Sequence, residues 1–263
     1  MLRVEPMVDA TDALRAASLL GPYFTWQPRD ADPAWRPFTD LLDERVLADR
    51  VSAGRDTLGH MSGLSRDAIG EREVASITFL GLASRLLSPL LGAAASGGAL
   101  PLPEPDSLWW RAAPAGPLPI AFQGLTALPC AGEPAAVIGY HLARFTQVRP
   151  LLDVFRARFA LSPQVLWGNV ASALGGAAGM IADNRPADAA RGAAIVEATL
   201  LQEPLLGTAD LIRPDTGRDR WFLVRRNCCL YYRIPGGGTC GDCVLTPPED
   251  RNRQWRAVLS RGR

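Results

Sequence analysis

Apolar positions recur every three to four residues along most of this chain, and that spacing predicts a mainly helical protein. A first helix runs to Leu20, opened by Asp9 or Thr11 as cap and closed by Gly21. The proline-rich, aromatic stretch that follows predicts a loop packed by Trp26, Trp35 and Phe38. A second amphipathic helix is expected from about Thr39 to Val51. Ser65, with Glu71 nearby, opens a longer one whose core face carries Ile69, Val74, Ile77, Phe79 and Leu80. That helix is expected to fade near Pro89, with the Gly/Ala/Pro-rich run Gly92–Pro105 as a connection.

The middle of the chain changes period. Ser107–Arg111 and Leu118–Phe122 are short apolar runs around the turn-rich APAGP, the pattern of a β-hairpin. Helices resume at roughly Glu133–Arg144, Val148–Phe159, Pro163–Ala182 and Pro186–Gln202, with Pro163 and Pro186 at first-turn positions. Gly175, Gly176 and Gly179 fall inside one of these helices and predict close helix packing. A loop at Leu206–Asp219 then leads to WFLVRRNCCLYYRI, which reads as strand. The expected fold is therefore mainly α (α+β). A helical body with a small hairpin spans 1–215, and a short cysteine-rich segment spans 216–263.

At 263 residues, with 48 % hydrophobic and 21 % charged positions, the chain can bury a sizeable core and is not of disordered type. The charge-free run Phe159–Ala182 has transmembrane length, yet Pro163, Gln164, Asn169 and several glycines make it a buried helix rather than a span. All 28 basic residues are arginine. The net charge of +1 hides an asymmetry, because residues 213–263 hold eleven Arg against five acidic residues. A basic end of this kind can neutralise a thiolate-rich centre or attract an acidic partner or anionic substrate; a plain solvated tail accounts for Arg251, Arg253, Arg256, Arg261 and Arg263 equally well. The N-terminal MLRVEPMVDATDALRAA is mixed in charge, so no export signal is expected. Clustered cysteines in a reducing cytoplasm point to metal or catalysis rather than disulfides.

Four of the five cysteines lie close together: Cys228, Cys229, Cys240 and Cys243, in the spacing C-C-x10-C-x2-C. The Cys240–Cys243 turn directs two thiolates at one centre, with Gly241 letting the backbone bend. Glycine amides around Gly236–Gly238 are candidate donors to cluster sulfurs. Cys228 and Cys229 are adjacent, and neighbours in an extended segment point apart. Both reach one centre only if the backbone turns locally or the centre is large, which suits an iron–sulfur cluster better than a compact zinc tetrahedron. A structural zinc and a dithiol redox pair stay open on this spacing. Cys130 stands apart as a free thiol, and His60 and His141 have no ligand-type spacing. No G-x-G-x-x-G follows a strand and no lysine exists for a P-loop, so a nucleotide or flavin site is not supported and electrons must come from elsewhere.

The segment RRNCCLYYRIPGGGTCGDC resembles the C-terminal cluster motif of the FhuF-type ferric siderophore reductases, including Arg225, Arg226, Leu230 and Tyr232 around the double cysteine. VLWGNVASAL (Val165–Leu174) is similar to the family's tryptophan–asparagine segment. One departure is local: Val244-Leu245-Thr246-Pro247 follows the last cysteine where the family often has proline directly. The resemblance implies a [2Fe–2S] cluster on Cys228, Cys229, Cys240 and Cys243 and a cytoplasmic enzyme reducing siderophore-bound Fe(III). Arg225, Arg226 and Arg233 would tune the centre and draw in ferric complexes, with Trp221, Tyr231 and Tyr232 as a face for the ligand shell. Trp167 and Asn169 would contribute to a pocket; a buried tryptophan beside a hydrogen-bonded asparagine is the plainer alternative. The implied partners are a ferric siderophore, of hydroxamate type, and an external ferredoxin or flavin/NAD(P)H-dependent reductase. No nucleic acid, no membrane span and a monomer are expected. Two alternatives remain: an iron–sulfur carrier or redox sensor without a siderophore pocket, and a zinc-stabilised module binding nucleic acid through its basic end.

Overall fold

In the computed structural model, which describes residues 6–113, 116–145 and 147–261, the first apolar run forms a short strand β1 (Val8–Asp9) and helix α1 (Thr11–Ser18). The N-cap position of that helix is Ala10, and Asp9 Oδ1 just before it accepts from Thr11 N–H at 2.7 Å. The aromatic stretch expected as a loop holds two strands, β2 (Trp26–Pro28) and β3 (Arg36–Pro37), with Trp26, Trp35 and Phe38 buried. The second helix, α2 (Glu44–Ser62), starts later and ends later than its pattern predicts. Its start is set by Asp43, whose Oδ1 accepts from Arg45 and Val46 N–H at 2.8 and 3.1 Å. Its end is set by Gly63 at φ +67°.

Helix α3 (Glu71–Ser96) runs straight through Pro89, correcting the expected break. Proline removes the N–H that would bond the carbonyl four residues back, here Arg85 O. The Trp26 indole N–H donates to that oxygen at 2.8 Å, so no backbone acceptor is orphaned. The Arg85 side chain is buried too, and its guanidinium donates to the carbonyls of Pro22, Tyr23, Thr25 and Leu118 at 2.6–2.7 Å. One turn of α3 thereby fastens the segment after α1 and the hairpin region to the core.

Strands β4 (Ala99–Pro101), β5 (Leu108–Trp110), β6 (Ile120–Phe122) and β7 (Thr126–Pro129) follow. The expected hairpin is β5–β6, antiparallel with Leu108 opposite Phe122; Pro114 and Ala115 of its turn lie outside the described residues. It belongs to a larger sheet of order β2-β6-β5-β3, in which β2 and β6 are parallel. A second, antiparallel sheet has the order β1-β7-β4. Four helices come next: α4 (Ala135–Ala143), α5 (Val148–Phe159), α6 (Pro163–Asn184) and α7 (Ala189–Leu200). Ser162 Oγ caps α6, accepting from Val165 N–H at 3.3 Å, with Pro163 in the first turn.

α3 and α6 pack along each other and are the spine of the core, flanked by α5 and α7. Both are long and apolar enough to cross a membrane, and most of each apolar window is buried inside the fold. The loop expected at 206–219 contains β8 (Ala209–Ile212), which pairs antiparallel with β9 (Phe222–Arg225). Only these four residues of WFLVRRNCCLYYRI are strand; the chain then turns, with one 3-10 turn at Tyr231–Arg233, and ends in α8 (Pro248–Arg261). The 215/216 boundary expected from composition falls in the turn of the β8–β9 hairpin.

Candidate metal centre

β9 delivers the cysteine segment to the body, and glycines on α6 let it come close. A Cβ on Gly168 would collide with the Asn227 side chain, one on Gly175 with Leu223, and one on Gly179 would crowd the Arg220 guanidinium. The glycine face expected for helix packing therefore receives a strand and its flanking residues. β9 in turn clips the C-x2-C turn, since Arg225 N–H donates to Asp242 O at 3.0 Å. From the far side, Arg251 Nη2 donates to Cys243 O and Thr246 O at 3.3 and 2.8 Å.

The vicinal pair is redirected by Leu230, a non-glycine residue at φ +72°. This left-handed turn brings Leu230 N–H within 3.3 Å of Cys228 Sγ. Leu245 N–H donates to Cys243 Sγ at the same distance, and Tyr231 N–H donates to Cys229. Within the glycine run, Gly237 N–H goes to Ile234 O. Cys229 Sγ and Cys240 Sγ stand 3.6 Å apart. That is close to the edge, roughly 3.8 Å, of a tetrahedron with ~2.3 Å metal–sulfur bonds. The hydrogen bond from Cys240 holds Cys229 well below the usual thiol range, at about 6, helped by Tyr231 N–H and Arg225 against burial. The same bond pushes Cys240 up, and burial foremost pushes Cys228 up. Cys228 lies in the field of both Cys229 and Cys243. Among the described residues, no three His, Cys, Asp or Glu side chains converge on a single-ion cage.

Arg225 tests the fit to an anionic centre. It is 1 % exposed, and its Nη2 donates to Asn169 Oδ1 at 2.6 Å and Asn227 Oδ1 at 3.2 Å. Nε and Nη1 are buried without an acceptor, and no carboxylate pairs with Arg225 among the described residues. A buried cation needs a counter-charge, and its charge acts on Cys228 and Cys229. Cysteine thiolates holding an iron–sulfur group would supply that negative charge. Asn169, fully buried, passes the connection inward: its Nδ2 donates to Ser76 O and Oγ at 2.9 and 3.0 Å. Ser76 Oγ closes the chain by donating to Cys229 O at 2.8 Å.

The remaining sequence candidates divide by exposure. Arg226 is exposed and ion-paired with Asp210 at 2.6 Å. Arg233 lies 3.7 Å from Glu73 and over the Tyr232 ring, and Tyr232 is 45 % exposed. Trp221, half-buried, lines a cleft of about 370 Å³ with Gly241, Asp242 and Trp255. Arg225 and Asn169 have no surface to offer a docking molecule, and Trp167 packs, partly buried, on the core. Ser76 and Asn227 were not singled out from the sequence. Asn227 adjoins the double cysteine, whereas nothing local marks Ser76. Cys130 is buried and apart, its thiol pushed up to about 11 by burial.

A buried guanidinium, sulfur-directed amides and the close Cys229–Cys240 pair suit an anionic centre held by cysteine thiolates. Residues 225–245 match the family model of the FhuF 2Fe-2S C-terminal domain, so the chain carries a FhuF-type iron–sulfur segment whose cofactor is a [2Fe–2S] cluster. That match decides against the structural zinc left open by spacing. No curated protein matches the chain.

Proposed function

We propose that this protein is a cytoplasmic ferric siderophore reductase. The observation that carries the reading is the buried, carboxylate-free Arg225 set against the double cysteine of a FhuF-type segment. When bound, a [2Fe–2S] cluster supplies one electron at a time at low potential. Siderophore oxygens are hard ligands matched to Fe(III) and hold Fe(II) far less tightly, so a single electron is enough to free the metal.

The chain's residues divide the remaining work. Arg225 places a fixed positive charge beside the thiolates and favours the more negative, reduced state. Leu230, Tyr231 and Leu245 direct amide N–H groups at sulfur and act the same way. Ser76 and Asn169 hold the double cysteine against the body. Arg226 and Arg233, set against Asp210 and Glu73, and Tyr232 form an exposed polar and aromatic rim open to a bulky partner.

The test is anaerobic rapid mixing of the reduced, cluster-loaded protein with ferric siderophores in the presence of a ferrous trap. Reoxidation of the visible spectrum with matching Fe(II) capture is expected. Reoxidation by dioxygen or a ferredoxin but by no ferric complex would leave an electron carrier instead.

A further inference from the structure

Consecutive turns carry the second half of the cysteine set. Cys243 N–H donates to Cys240 O at 3.1 Å, and Thr246 N–H donates to Cys243 O at 3.3 Å. The Thr239 and Thr246 hydroxyls meet at 3.2 Å and tie the two ends of this loop together. β9 holds it through Arg225 N–H and Asp242 O. Cys243 O and Thr246 O also accept from one side-chain nitrogen, Arg251 Nη2, at 3.3 and 2.8 Å. A turn that would otherwise leave these carbonyls to water is thus fixed by a single guanidinium.

Arg251 stands near the start of α8, and that helix is anchored independently of it. Trp255, one helical turn further along and therefore on the same face, is 6 % exposed. Its ring stacks on Phe222 of β9, with centroids 5.1 Å apart and planes at 22°. Near the end of the helix, the Arg218 guanidinium in the β8–β9 turn donates to Leu259 O. The side of α8 that packs on the hairpin therefore also presents Arg251 to the cysteine turn.

The charge of Arg251 is not spent on a neighbouring carboxylate. Asp250, next to it, pairs with Arg253, and no acidic side chain pairs with Arg251 among the described residues. Arg251 is half-buried, and its Nε is buried without an acceptor. Arg253 and Arg256 are exposed, so the reading as a solvated basic tail suits them and not Arg251. Arg225 and Arg251 are thus two carboxylate-free cations, both bonded to the backbone or side chains that carry the cysteines.

We infer that Arg251 is a positioning residue of the cysteine-held centre. Anchored through α8, it locks the Cys240–Cys243 turn by two hydrogen bonds and adds a positive charge beside the Cys243 backbone. The first effect keeps iron in place; the second favours the more negative, reduced state. Arg251 acts through the Cys243 backbone and not on a reacting atom. The inference concerns how the centre is held and tuned, so it stands whichever molecule takes the electron.

The test compares cluster-loaded wild type with Arg251→Lys, Arg251→Gln, Arg251→Ala and Trp255→Leu. Potentiometric titration of Arg251→Gln should show a potential lower by about threefold in the one-electron equilibrium, roughly 30 mV at ~59 mV per tenfold. Arg251→Lys, which keeps the charge, should recover most of that shift. Anaerobic iron release to a ferrous chelator should be at least fivefold faster in Arg251→Ala. Trp255→Leu, which loosens α8 and leaves Arg251 itself intact, should also speed release. A lower melting temperature in the Arg251 variants with potential and release rate unchanged would make the residue merely structural and overturn the inference. Equal potentials in Arg251→Lys and Arg251→Gln would overturn the role of its charge. Release unaffected by Trp255→Leu would overturn the anchoring through α8. If Arg251→Ala takes up no iron while Arg251→Lys does, the positioning role is supported directly, and the lysine and glutamine variants still decide the role of charge.

Discussion

Arg225 holds a positive charge where water does not reach it, and only two amide oxygens soften that burial. Its influence on the double cysteine is therefore little screened. Arg225→Gln keeps hydrogen-bonding groups and removes the charge. A unit charge at about 5 Å with an effective dielectric near 20 is worth about 3 kcal/mol, part of which relaxation removes. The reduction potential of the loaded variant should fall by roughly 60 mV or more, about tenfold in a one-electron equilibrium. Arg225→Lys, which keeps the charge, should recover most of that loss. Potentiometric titration followed by visible absorbance reads both, and an unchanged potential in Arg225→Gln would mean that the charge is not felt at the centre. The family match at residues 225–245 falls on the cysteine spacing that stands out in the sequence, because ligand chemistry repeats in sequence. The depth of Arg225 was not legible there, since an arginine beside cysteines reads as surface charge until its partners Asn169 and Ser76 are brought in from distant helices.

At the level of elements, the core depends on bonds that replace what local sequence removes. Pro89 should end a helix, yet α3 continues because Trp26 serves the orphaned Arg85 oxygen. Periodicity cannot reveal that partner, which lies on a strand far upstream. The outer ends of α2 were misjudged for a nearer reason: the Asp43 cap and the Gly63 stop were readable, but the apolar pattern between them is weak. Strands of two to four residues, such as β2, β3 and β8, are too short to show alternation, which is why only the β5–β6 hairpin and the segment holding β9 were foreseen. The Pro89–Trp26 link gives a specific expectation. Trp26→Phe should cost about 2–3 kcal/mol, combining a lost hydrogen bond with lost packing. In that background, Pro89→Ala should return about 1 kcal/mol by restoring an N–H to Arg85 O, and in wild type it should return less because that oxygen is already bonded. Denaturant unfolding of the four proteins measures the coupling. Strict additivity would show that the indole and the proline act independently.

Across the whole molecule, the cysteine segment and the helical body hold each other in place. The β8–β9 hairpin straddles the composition boundary, Gly168 makes room for Asn227, and the Ser76–Asn169–Arg225 chain links α3 and α6 to the thiolates. Composition separates the basic end from the apolar body, but hydrogen bonding joins them, so the division seen along the chain is not one of packing. Iron removal should then be felt far from the centre, because Arg225 is left buried without its counter-charge. If that costs the body about 2 kcal/mol, anaerobic chelation should lower the melting temperature by roughly 4–8 °C for a chain of this size. Circular dichroism at a helical wavelength reports the body rather than the cysteine loops, and so isolates the coupling. Asn169→Ala should shrink the difference between loaded and iron-free protein, since it breaks the link to Ser76 while leaving all four cysteines in place. Equal melting of the loaded and iron-free forms in wild type would instead make the segment a passenger on an independent helical body.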